Sequence, residues 1–188
     1  MLTIIALITL EFGEISGIRM GFGYNSFVTP PTIDQLTSFP FIDDTVTASA
    51  GSDPFLIVQT MTQTGPPWVT PKEDEYWLAA GLSASLFDCL TVTAVAMLEV
   101  KSGGFDLAIY GDAVAMMPPD APSRESCLVY VELAMVIEFN MGQGYFRVEA
   151  ALAPTSFLLV PQCQLTGGFA LVYWFGVCEI PKAIWTMN

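Results

Sequence analysis

The side chains in this chain most able to do chemistry are carboxylates, and the pair to weigh first is Asp112 with Glu132. Glycosidases hold two carboxyls roughly 5–9.5 Å apart, one acting as acid and the other as base or nucleophile. Asp112 and Glu132 fall in successive extended runs, so they can approach across neighbouring strands and make a carboxylate-dependent hydrolase; the plainer reading is a solvated sheet face. Glu132 and Glu138 lie on one run and would stand roughly 20 Å apart at about 3.3 Å per residue, which excludes them as a pair. The clusters Asp43-Asp44 and Glu73-Asp74-Glu75 offer oxygen ligands to Ca²⁺. Neither has the alternating ligand loop of an EF-hand, so both read as solvated turns.

Other chemistry is excluded by residue type. The chain has no histidine, which removes Ser-His and Cys-His nucleophilic pairs, His-ligated metals and imidazole acid–base work. Its lysines, Lys72, Lys101 and Lys182, stand at no familiar spacing from a serine. Cys89, Cys127, Cys163 and Cys178 form no C-x-x-C pair and read as buried free thiols, with two disulfides the alternative in an oxidising compartment. Gly21 and Gly23 open a dinucleotide-like fingerprint, but Ser26 stands where its third glycine belongs and no βαβ pattern follows. Trp68, Trp77, Trp174 and Trp185 read as packing residues beside strand starts, with stacking on sugars or bases the alternative. No catalytic, cofactor-binding or metal-ligating residue is assigned, and no cofactor is expected.

The elements that must position these groups are strands. From Trp77 to Phe175 apolar residues alternate with small or acidic ones through about six extended runs separated by Gly- or Pro-rich turns, the period of an antiparallel sheet. The expected strands are 2–10, 15–24, two within 77–100 meeting near Asp88-Cys89, 105–116, 128–139, 145–153, 157–160 and 169–175. Hairpin turns fall at Lys101-Ser102-Gly103-Gly104 and at 140–144, where glycine reaches positive φ. Along 128–139, Val129, Val131, Leu133, Met135, Ile137 and Phe139 share one face, which reads as core; Tyr130, Glu132, Ala134, Val136 and Glu138 share the other. That second face also takes Asp106, Ala108, Asp112, Val114, Met116, Arg147 and Ala151. It reads as an outer, partly wet face that is half apolar, as expected if a further sheet, a helix or a segment missing from this chain packs there, and its Arg147 is placed for cross-strand pairing with acids.

Prolines at 30, 31, 40, 54, 66, 67 and 71 make residues 29–71 an irregular connection within a single domain of 1–188. Two helical turns fit there, at 33–38 and 53–62, the second with Asp53 as N-cap and Pro54 as first helical residue. The expected fold is all-β, a mainly antiparallel meander with this Pro-rich segment over one edge or face; an α/β layout is the alternative.

With 53% hydrophobic residues, 13% charged and 12% aromatic, the chain is no disordered polypeptide, and no run approaches the roughly 20 apolar residues of a spanning helix. A net charge of −13, with no basic cluster, repels nucleic acids and anionic lipid surfaces. Residues 1–10 lack the basic start of a signal peptide and read as a strand.

Three segments together, GFGYNSFVTPPTIDQLTSFPFI at 21–42, EYWLAAGLSAS at 75–85 and FLLVPQCQLTGGFALVYWF at 157–175, resemble domain-of-unknown-function family 6603, large uncharacterised bacterial and fungal proteins. The similarity runs over about residues 10 to 176. It implies a β-rich part of a larger protein and carries no known activity or catalytic residues to transfer. Residues 177–188, with Pro181, depart from it as an atypical tail, which gives the expectation of a fragment.

These features support a non-enzymatic structural or interaction module, meeting the remainder of a longer polypeptide or another copy through its sheet. A binder of lipids or other apolar ligands in a sheet groove, and the carboxylate hydrolase, are the alternatives.

Overall fold

The computed structural model describes residues 2–4, 8–43, 54–63 and 67–175. Its strands are β1 (Leu2–Ile4), β2 (Ile8–Leu10), β3 (Gly13–Val28), β4 (Val69–Leu86), β5 (Leu90–Lys101), β6 (Gly104–Met117), β7 (Val129–Asn140), β8 (Tyr145–Leu152), β9 (Phe157–Leu158) and β10 (Gly168–Trp174). They form one antiparallel sheet in the order β1-β3-β4-β5-β6-β7-β8-β10, with β2 also on β3 and β9 on β7. The meander expected from the alternation is therefore the fold. Its tight turns fall where the sequence places them. Leu86 and Leu90 pair across a turn in which Phe87 and Asp88 take positive φ. Lys101 pairs with Gly104, whose φ is 137°, and Asn140 pairs with Tyr145 just after Gly144.

Between β3 and β4 lies an excursion whose described residues, 29–43, 54–63 and 67–68, are outside the strands, and its neck is closed by the Thr29 amide donating to the Trp68 carbonyl at 2.8 Å. The excursion contains a 3-10 turn at Ile33–Ser38 and helix α1 (Pro54–Gln63). Both match the sequence reading, although Asp53, the expected N-cap, lies outside the described residues. Pro31, Leu36, Phe39, Pro40 and Phe41 are fully buried against the sheet. The Phe39 ring packs at 5.2 Å from Trp68, 5.3 Å from Tyr110 and 5.5 Å from Phe41, and Phe41 meets Trp77 edge-on at 5.8 Å. Buried Arg19 on β3 donates from Nη1 to the Phe41 carbonyl at 3.0 Å, which ties this cap to the sheet.

The covered face is the one that reads as outer from the alternation. Ala134 and Val136 of β7 are buried with Trp77, Ala79, Val95, Met97, Ala108 and Tyr110, while Leu133 on the expected core face is exposed. The reason is steric. On β3 the covered face carries Gly21 and Gly23, and a Cβ at Gly21 would lie 2.8 Å from the Phe41 ring. The large residues Met20, Phe22 and Tyr24 point the other way, so only the glycine side leaves room for the aromatic cap.

Two further readings are corrected. The charged run Lys72–Glu75, whose last three residues read as a solvated turn ahead of the strands expected from 77, is instead a bulge inside β4, where Tyr24 pairs with Tyr76 and Ser26 with Pro71. Asp74 takes φ 60° there, and its amide is received by Asn25 Oδ1 at 3.1 Å. Of the cysteines, Cys127 is buried as expected, but Cys163 is exposed and Cys89 half-buried, all three free thiols; Cys178 lies outside the described residues.

Candidate interaction face

The register aligns side chains into rows that cross the whole sheet. On the face away from the cap, one row reads Phe22, Leu78, Leu98, Leu107, Phe139, Phe146 and Tyr173 from β3 to β10. The next reads Met20, Ala80, Ala96, Ile109, Ile137, Val148 and Leu171. A third runs Ile18, Leu82, Ala94, Gly111, Met135, Ala150 and Phe169. No charged side chain interrupts these rows.

Much of this face is open among the described residues, although Phe175 stacks on Phe139 at 5.0 Å and Ala150 is buried. Phe22 is 65% exposed and Leu78 49%, and Met20, Leu82, Leu107, Leu171 and Tyr173 are exposed as well. With strands about 4.8 Å apart and about 3.3 Å per residue, a face seven strands wide and about ten residues long covers roughly 1,000 Å². The largest apolar patch of a typical monomer is roughly 300–600 Å², and a standard interface buries about 800 Å² per partner. At its middle, small residues leave an apolar depression of about 360 Å³ between Ile18, Leu82 and Ile109, floored by Ala80, Ala94 and Ala96.

The ionisable groups of the central strands are gathered on the capped face. Its rows include Trp77, Glu99, Asp106, Asn140 and Tyr145, then Ala79, Met97, Ala108, Glu138 and Arg147. Arg147 stands directly opposite Glu138 and binds its Oε2 at 3.0 Å, the cross-strand pair foreseen from the alternation.

Asp112 and Glu132, the sequence-derived pair, are brought onto this same face. Asp112 lies opposite Ala134 and Glu132 opposite Val114, so the two are diagonal neighbours on β6 and β7. Burial, and secondarily the Glu132 charge, push the Asp112 carboxyl up to about 6, and its Oδ1 is buried with no hydrogen-bond partner among the described residues. Glu132 Oε2 accepts from Tyr130 Oη at 3.2 Å and Thr155 Oγ1 at 3.0 Å. Burial first, then Glu132, raises the Tyr130 phenol to about 12. One carboxyl is thus inclined to hold a proton, while an oxygen of the other accepts two hydrogen bonds.

The remaining candidates are structural. Trp77 is buried and donates from Nε1 to Ser26 Oγ at 3.0 Å, and Trp68 packs on Phe39; Trp174 is 61% exposed on the last strand, and Trp185 lies outside the described residues. Glu73 and Asp74 are exposed as expected of a solvated run, but Glu75 is buried and paired with Lys72 at 2.7 Å. Asp44 lies outside the described residues. Among the described residues no cluster of His, Cys, Asp and Glu is placed to hold a metal ion, and no helix is long and apolar enough to cross a membrane.

A single antiparallel meander, capped on one face by its own Pro-rich excursion and largely open on the other among the described residues, is the class of protein this fold defines. Residues 1–183 match a family of unknown function, DUF6603, and the chain belongs to that family. The match extends beyond both ends of the segment whose resemblance is visible by eye. No curated protein and no solved structure matches the chain.

Proposed function

We propose that this chain is a non-enzymatic interaction module whose bare face is one inner wall of a two-sheet assembly. The observation that carries this reading is the run of aligned rows from β3 to β10 without a charged side chain. The net charge of −13 favours solubility, while the face away from the cap offers what a second twisted apolar sheet needs, interdigitating aliphatic and aromatic side chains about 10 Å from their partners' backbone. The second wall is another copy of this chain or a further part of a longer polypeptide. Light scattering combined with an exposed-hydrophobe dye tests it: association, or dye binding by the monomer, supports the reading. A monodisperse 20.4 kDa monomer that leaves the dye dark overturns it.

The apolar depression between Ile18, Leu82 and Ile109 favours a second reading, an apolar ligand seated on the same face. Native mass spectrometry separates the two, since a lipid-seating protein carries or takes up fatty acids and phospholipids. The diagonal carboxylates Asp112 and Glu132 support a hydrolase less strongly, because Glu132 is occupied by Tyr130 and Thr155. Unchanged activity of D112N and E132Q in a glycoside screen removes that role.

A further inference from the structure

At the end of the capped face where the β5–β6 and β7–β8 turns meet, the sheet and Pro30 of the excursion enclose a cavity of about 210 Å³. Glu99, Lys101, Asp106, Tyr110, Glu138 and Tyr145 are among its walls. Most of the acid oxygens there already have donors. Lys101 Nζ reaches Glu99 Oε2 at 2.8 Å and Asp106 Oδ2 at 2.5 Å, and it sits 5.0 Å above the Phe27 ring. Glu138 accepts from Tyr145 Oη at 2.6 Å through Oε1 and from Arg147 at 3.0 Å through Oε2.

Glu99 is the exception. It is 7% exposed, and its Oε1 is buried with no hydrogen-bond partner among the described residues. A carboxylate oxygen held this way loses its hydration and receives nothing in return, which proteins rarely tolerate outside a site. The charge around it points the same way: three carboxylates, Glu99, Asp106 and Glu138, face two cations, Lys101 and Arg147, leaving one negative charge in excess.

We propose that this cavity is a binding site for a small organic cation, a primary ammonium that donates to Glu99 Oε1. Tyr110 and Tyr145 supply aromatic surface suited to a cation, and Asn140 and Gln143 also line the cavity. Burial already holds the Glu99 carboxyl above its usual range against the opposing pull of Lys101, as expected of an anion short of donors. A bound ammonium supplies the missing donor and balances the charge.

The test uses the full chain in about 0.15 M salt, where nonspecific attraction to an acidic surface is largely screened. Ethanolammonium and putrescine are titrated by calorimetry beside the neutral isosteres ethylene glycol and 1,4-butanediol. Saturable binding of the amines alone, at least tenfold weaker in E99Q, is the expected result. Amide chemical-shift mapping on the unmodified protein provides a readout that does not need the variant to fold, and the shifts should concentrate at residues 99, 106, 108 and 140. Equal binding by E99Q, binding of the neutral isosteres as well, shifts scattered without saturation, or no binding at all overturns the assignment.

Discussion

Replacing Phe41 and Phe22 by alanine, one at a time, sets the two sides of the same strand pair against each other. Phe41 is fully buried in the cap, edge-on to Trp77 and tilted against Phe39, whereas Phe22 on β3 is 65% exposed. Truncating a buried phenylalanine removes its transfer free energy and leaves a cavity, a loss of about 3–5 kcal/mol. Truncating an exposed one away from any special feature stays within about 0.5 kcal/mol. The assay is urea unfolding at submicromolar concentration, so that association does not add to the stability of the Phe22 side. With a slope of about 2 kcal/mol per molar urea, F41A should lower the midpoint by about 2 M and F22A should leave it almost unmoved. The reasoning fails if F22A costs as much as F41A, because the face called bare would then be packed.

Further outcomes follow from the close quarters on the capped side. Gly23→Ala places a Cβ 1.9 Å from Trp77 Nε1 and 2.5 Å from Ser26 Oγ, breaking their hydrogen bond; a loss of about 1–3 kcal/mol in urea unfolding is expected, and a loss under about 0.5 kcal/mol contradicts the packing. Asp112 has a folded pKa of about 6, above its usual value of 3.8, so its stabilising contribution is complete below about pH 4 and is lost as pH rises through 6. Two units correspond to about 2.7 kcal/mol, reduced to about 1–2 kcal/mol because water screens this half-exposed side chain. D112N should therefore gain on the unmodified protein by that amount between pH 4 and 7.5; parallel stability profiles would refute the shift.

Much of the fold is legible in the residues because strand period and turn chemistry act locally. Lys101 to Gly104 and Asn140 to Gly144 make hairpins wherever the sheet lies, and Leu86 and Leu90 need only a short reversal between them. Which face is covered is a long-range question. Along β7 both faces are rich in apolar residues, and alternation distinguishes two faces without naming the one that meets the cap. The decisive signal lies on β3, where Gly21 and Gly23 alternate with Met20, Phe22 and Tyr24. Glycines on one side mark the place where another part of the chain comes close. The run Lys72–Glu75 is misleading in the opposite way, because four successive charges look like a turn, and only the pairing of Ser26 with Pro71 shows a bulge. The polar cavity is invisible in one dimension: Glu99, Asp106, Glu138 and Tyr145 belong to four strands, and only register sets them around a common space. The same holds for Asp112 and Glu132, whose diagonal relation depends on Asp112 facing Ala134.

The central claim, that the rows through Leu78 and Leu107 form a surface made to be covered, is tested most directly by placing charge in them. The double variant L78K/L107K is compared with the unmodified chain by light scattering in the presence of an exposed-hydrophobe dye. The unmodified chain should associate or light the dye, and the variant should be a 20.4 kDa monomer that keeps its β-sheet circular dichroism and loses most of the signal. A variant that unfolds, or one that associates and binds dye as the unmodified chain does, would contradict the account.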